Sequence, residues 1–145
     1  MSIPTLGRLE SLPALEHPEL LAPPVLAALQ GWEHGSELAV VEIDPEVADT
    51  AAMSEAYDLG MDTGANCVVV GGRREGVERV AACLVRADTR ADVNTVVKRA
   101  LDVRKCSFLP MDRAVEESGM EYGGITPVGL PSSWRLLVDS RVLDI

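Results

Sequence analysis

Between Gly119 and Leu130 the chain sets four glycines and a proline within twelve positions: Gly119–Met120–Glu121–Tyr122–Gly123–Gly124–Ile125–Thr126–Pro127–Val128–Gly129–Leu130. No regular element survives that composition. Glycine opens the positive-φ region and lets a neighbouring group approach the main chain, whereas Pro127 fixes its own φ. The stretch therefore reads as a stiff loop that presents N–H and C=O groups, which can bind a carbonyl, a ribose hydroxyl or a water without an ionisable side chain. Composition alone is equally compatible with a tight connector. Whatever fold the chain adopts must place this loop directly after a helix.

The rest of the pattern supplies the elements around it. Pro4, Pro13, Pro18, Pro23 and Pro24 crowd the first 24 residues and leave room only for short helical turns. A helix is predicted from Pro24 to Gly31, followed by a strand over Leu38–Ile43 closed by Asp44–Pro45. Asp49 through Leu59 has helical spacing, with Gly60 as the stop. Asn66–Val70, ending at Gly71–Gly72, and Glu78–Arg86 read as central strands joined by a charged hairpin loop. Asp92 caps a helix over Val93–Leu101, whose buried stripe is predicted as Val93, Val96, Val97 and Ala100. Lys105–Leu109 is a further strand, Asp112–Ser118 a short helix with Gly119 at its C-terminal cap, and Arg135–Val138 a last strand that continues toward Ile145. This order predicts an α/β (α+β) domain over residues 1–145, a mixed, mostly antiparallel sheet surrounded by helices.

Composition bounds the function. With five aromatic residues and 47% hydrophobic content, the core must be built from Val, Leu, Ala and Ile. No run approaches the roughly 20 apolar residues of a membrane span, which leads to the expectation of a soluble, cytoplasmic protein with no membrane partner. Cys67, Cys83 and Cys106 are odd in number and sit in apolar runs, so they read as reduced and buried rather than as disulfides or zinc ligands. His17 and His34 have no companion at metal-ligand spacing and read as surface residues; neither a metal nor a cofactor is expected. A formal net charge of −10 argues against an extended DNA or RNA groove. That charge is uneven. Through Gly72 there are twelve acidic residues and one basic, Arg8, while from Arg73 onward there are eleven acidic and twelve basic. Any phosphate contact should come from the second half.

Three pieces of the sequence together resemble the YbaK/EbsC family, which is similar to the editing insertion domain of bacterial prolyl-tRNA synthetases. They are Gly124–Ile125–Thr126–Pro127, like the family's glycine-to-proline substrate loop; Gly129–Leu130; and Leu137–Val138–Asp139, like its hydrophobic strand ending in aspartate. Arg86–Ala87–Asp88–Thr89–Arg90–Ala91–Asp92–Val93 resembles the family's turn into a helix, and the likeness runs from about Ala52 to the C-terminus.

The resemblance implies the YbaK fold and an aminoacyl-tRNA deacylase that hydrolyses the ester of a mischarged tRNA. Its partners would be the 3′ end of that tRNA and an aminoacyl-tRNA synthetase. Gly123, Gly124, Ile125, Thr126 and Pro127 would orient the ester carbonyl and a water, with the substrate's ribose hydroxyl assisting proton transfer. Asn66, Cys67, Gly129 and Asp139 would contact the substrate, Asp139 by accepting a hydrogen bond from the substrate's amino group. One departure stands out: the family's lysine–threonine–leucine pattern is replaced by Asn66–Cys67–Val68, removing a cation that would meet the terminal phosphate. Arg73, Arg74 and Arg90 are candidates to replace it. A non-catalytic binding module with the deacylase fold is the alternative. No Ser-His-Asp motif or phosphate-binding glycine-lysine loop is recognisable.

Overall fold

Two ten-residue strands, β3 (Ala65–Arg74) and β4 (Val77–Arg86) in the numbering below, pair antiparallel along their whole length, from Ala65 opposite Arg86 to Arg74 opposite Val77. The turn between them is Glu75–Gly76, at φ 52° and 79°. Two successive positive-φ residues are what a two-residue hairpin needs to match the strands' right-handed twist. The computed structural model describes residues 5, 7–44, 46, 50–57 and 59–145.

The preceding elements are β1 (Leu12–Pro13), α1 (Pro23–Gln30), β2 (Ala39–Val40) and α2 (Thr50–Tyr57). After the hairpin come a π-helical turn over Val93–Val97 running into α3 (Lys98–Leu101), then β5 (Cys106–Phe108), α4 (Met111–Ser118) and β6 (Arg135–Val138). The main sheet has the order β5–β3–β4–β6, with β6 parallel to β4 and the other pairs antiparallel, while β1 and β2 form a separate two-stranded pair. This is the mixed, mostly antiparallel α+β architecture that the sequence predicts.

Several elements differ from their sequence pattern, each for a physical reason. β3 does not stop at Gly71–Gly72: a Cβ on Gly72 would collide with the Lys105 carbonyl and the Val103 side chain, so the glycines admit β5 rather than end the strand. Strand structure in the 38–43 region is confined to Ala39–Val40. Gly60, at φ −72°, opens a 3₁₀ turn over Met61–Thr63 instead of capping α2. Pro4, Pro45 and Asp49 lie outside the described residues. Beyond Val138 the chain leaves the sheet, because the Asp139 side chain accepts the Arg141 N–H at 2.9 Å and starts a 3₁₀ turn over Ser140–Asp144.

The helix after β4 buries Val93, Val97 and Leu101, not Val96, which is 63% exposed, nor Ala100. Its first turn is wide, with the Val97 N–H reaching back to the Asp92 carbonyl at 2.9 Å, so every fourth residue faces the sheet. Asp92 does cap it, accepting the Thr95 N–H at 3.1 Å. That helix covers one face of the sheet, over Val70, Ala81, Cys83 and Leu137. The opposite face carries Val69 and Val80 against Ala114 of α4. A third cluster, Ala14, Val25, Leu29 and Met120, joins the lead segment to the chain after α4.

Candidate active site

Gly119 ends α4 at φ 71°, and Gly123 turns the chain again at φ 83°. The Gly124 N–H donates to the Glu121 carbonyl at 2.9 Å, closing a turn. Further along, the Thr126 N–H meets the Met120 sulfur at 3.4 Å and the Val128 N–H meets Thr126 Oγ1 at 3.4 Å. Pro127 has no N–H. Among the described residues the amides of Gly123 and Ile125 have no protein acceptor, nor do those of Glu121 and Tyr122 before them. The Gly123 and Ile125 amides, two residues apart, are main-chain donors that can receive a carbonyl oxygen, a developing oxyanion or a water.

The loop is open at its tip and clamped at its base. Gly123 and Gly124 are exposed, whereas Ile125 through Leu130 are half-buried. Ile125 is the clamp: it packs against Val69 and Val80 of the sheet face and Ala114 of α4, and also against the lead-segment cluster around Val25 and Met120. Rigidity here comes from packing a half-buried isoleucine against two clusters.

Strand register gathers the other expected site residues at one end of the sheet. Asn66 stands opposite Val85, Cys67 opposite Leu84 and Leu84 opposite Val138, while the Asp139 N–H donates to the Leu84 carbonyl at 2.9 Å. They do not share a face. Alternation along β3 puts Cys67 with Val69 on the loop side and Asn66 with Val68 on the side of the 93–101 helix. Asp139 lines a groove of about 350 Å³ between that helix and β6, together with Arg90, Val96, Leu137 and Arg141. Gly123–Pro127 does not line it. Gly129, at φ 84°, has a packing role, since a Cβ there would lie 2.5 Å from the Pro24 carbonyl oxygen.

Two ionisable groups at this end, Asp139 and Cys67, are held away from acid–base chemistry near neutrality. Asp139 accepts from Arg141 through both carboxylate oxygens, at 3.0 Å and 2.7 Å, and this contact pulls its pKa down to about 2. It stays a carboxylate. Burial pushes the Cys67 thiol up to about 11, so it is neither a thiolate nor a ready nucleophile. Arg141 escaped the sequence reading; its signal, an arginine two residues after a strand-terminating aspartate, is too short to stand out. Arg73 and Arg74 lie at the far end of β3, and Arg90 lines the helix-side groove. His17 and His34 pair with Glu19 and Glu37 on the surface of the lead segment. Among the described residues no three His, Cys, Asp or Glu side chains gather as a metal site, and no helix is long and apolar enough to cross a membrane.

A family model described as an aminoacyl-tRNA editing domain matches residues 44–145. Among solved structures, one assigned as a trans-editing enzyme for prolyl tRNA synthetase is similar at a TM-score of 0.68 and 21% identity, over 86% of this chain and 77% of that one. A computationally designed epitope scaffold is similar at a TM-score of 0.66 and 22% identity, over 86% and 75% of the two chains. A hypothetical protein is similar at a TM-score of 0.58 and 22% identity over 68% of this chain, which spans 62% of that protein's length. No curated protein matches significantly.

Proposed function

Because the chain belongs to the aminoacyl-tRNA editing domain family, we propose that it is a deacylase of the YbaK/EbsC type. It acts as one domain in the cytoplasm and hydrolyses the ester of a mischarged tRNA after the tRNA has left its synthetase. The observation that carries this reading is a loop with unclaimed amides, Gly123 and Ile125 among them, whose tip is exposed and whose half-buried Ile125 holds it against the sheet face.

The chemistry needs little more than placement. An aminoacyl ester is an activated acyl group, and dipoles already aimed at the carbonyl oxygen stabilise the tetrahedral intermediate without reorganising. In this account the Gly123 and Ile125 amides receive that oxygen, the loop backbone places the attacking water, and the ribose hydroxyl of the substrate carries the proton to the leaving oxygen. Cys67 and the apolar residues beside it on the loop face offer a surface for the aminoacyl side chain. Such a hydrolase has a physical purpose, since an apolar synthetase pocket separates amino acids that differ by one methylene by only about 1–3 kcal/mol.

A second reading, a non-catalytic module that binds a tRNA end or a protein, draws on Asn66 in place of the family lysine and on the division of Asn66 and Asp139 from the loop by the sheet. A panel of mischarged tRNAs at substoichiometric protein separates the two. The deacylase releases amino acid over many turnovers from at least one of them; saturable binding without release from any member establishes the module.

A further inference from the structure

The chain's acidic average conceals one basic groove. At the end of the sheet away from Asn66, a groove of about 510 Å³ runs between the last residues of β3 and the edge strand β5, and its lining includes Arg73, Arg104, Lys105, Phe108 and Arg113. Four cations line it against a single carboxylate, Glu78, in a chain of net charge −10.

The cations around this groove divide into two kinds. Arg74 and Arg79 are both committed to Asp102, at 3.1 Å and 3.3 Å, and Arg113 is committed to Glu78 and Glu117, each at 2.6 Å. Arg104 and Lys105 have no carboxylate partner among the described residues, and both are exposed. Arg73 is held beside them, because its carbonyl accepts the Arg104 N–H at 3.3 Å. Two exposed cations without a carboxylate partner, beside an Arg73 that faces Glu78 across the hairpin, are a footprint for phosphate, since each one that meets a phosphate releases a condensed counterion. Phe108, 62% exposed on the same edge strand, offers a ring on which a base can stack.

We propose that this groove is a second RNA contact, holding backbone phosphates of the tRNA away from the ester. The proposal rests on the deacylase reading, which supplies the RNA. Ile125 of the loop packs on Val69, and Arg73 lies four residues further along β3, or about 13 Å at about 3.3 Å per residue. A substrate whose ester lies at the glycine loop therefore has to extend past its terminal nucleotide along the sheet to reach the groove. The groove holds the tRNA body, and the glycine loop performs the hydrolysis.

The test uses the full chain and an uncharged tRNA transcript, with affinity measured from about 50 to about 200 mM salt. Arg104→Gln/Lys105→Gln alters two exposed side chains and should keep the parent's circular dichroism. It should weaken binding about tenfold and lower the slope of log affinity against log salt by about 2. Lys98→Gln/Arg99→Gln removes the same charge elsewhere and should leave the slope nearer the parent's. Equal slopes for parent and Arg104/Lys105 variant, or equal losses in the two variants, overturn the groove. Poly-glutamate that displaces the tRNA as well as RNA of equal charge does so too, assigning the site to acidic polypeptide. Hydrolysis of a 3′-aminoacyl-adenosine, too short to reach the groove from the loop, should be the same in parent and Arg104/Lys105 variant, and a loss in that variant overturns the division of labour. If the parent itself leaves the aminoacyl-adenosine and every mischarged tRNA intact, the deacylase reading fails while the salt slopes still decide the groove.

Discussion

The Pro24 carbonyl oxygen lies 2.5 Å from the place a Cβ on Gly129 would occupy, so the first turn of α1 and the end of the glycine loop meet backbone to backbone. Pro24 precedes the family match, which begins at residue 44, whereas Gly129 lies within it. The lead segment is thus a physical support for the loop. Gly129→Ala has to push the two apart and also strain a residue at φ 84°. We expect a loss of about 1–3 kcal/mol in urea unfolding, with kcat/KM on a mischarged tRNA falling alongside it. Unchanged stability would show that the lead segment is not braced here.

Cys67 tests whether a side-chain nucleophile contributes. With its thiol pushed up to about 11 by burial, it is protonated at neutral pH. Cys67→Ser should keep turnover within about threefold, and iodoacetamide at pH 8 should label the native protein far more slowly than the unfolded chain. Loss of turnover with binding intact would transfer the chemistry from backbone to sulfur.

Asp139 gives a pH signature. Its carboxyl is held at about 2, below the ordinary 3.8, by Arg141, so its contribution to stability is present above the ordinary value and is lost as pH falls toward 2. The stability difference between the parent and Asp139→Asn should therefore be constant near neutrality and shrink between about pH 4 and pH 2. A difference that persists unchanged at pH 2 would mean the ion pair is not its source.

The helix over the sheet is held by Leu101, which is fully buried among Val70, Val97 and Val103. Leu101→Ala should cost about 2–5 kcal/mol, while Val96→Ala on the exposed side should cost well under 1 kcal/mol. Equal costs would contradict the observed phase of this helix.

Much of the architecture was legible because local chemistry and tertiary packing agree. Pro23–Pro24 and Gly31 bracket α1, Gly119 ends α4, and Arg135–Val138 is the strand its composition predicts. What escaped depends on neighbours distant in sequence. Gly71–Gly72 reads as a stop until β5 is seen lying against it, and Val96 reads as core until the turn after Asp92 proves wide. The candidate site was legible as a list and not as an arrangement, since adjacent strand residues such as Asn66 and Cys67 point to opposite faces and no pattern says which face receives the loop.

Gly124 gives the most direct test of the backbone mechanism. A Cβ there meets only the Glu121 carbonyl, at an ordinary 3.5 Å, so Gly124→Val adds bulk to the loop tip without crowding the free protein. The decisive measurement is the single-turnover hydrolysis rate of a mischarged tRNA by the parent and Gly124→Val, each checked by urea unfolding. The account predicts a rate about 100-fold lower with stability within about 0.5 kcal/mol of the parent. An undiminished rate would contradict it.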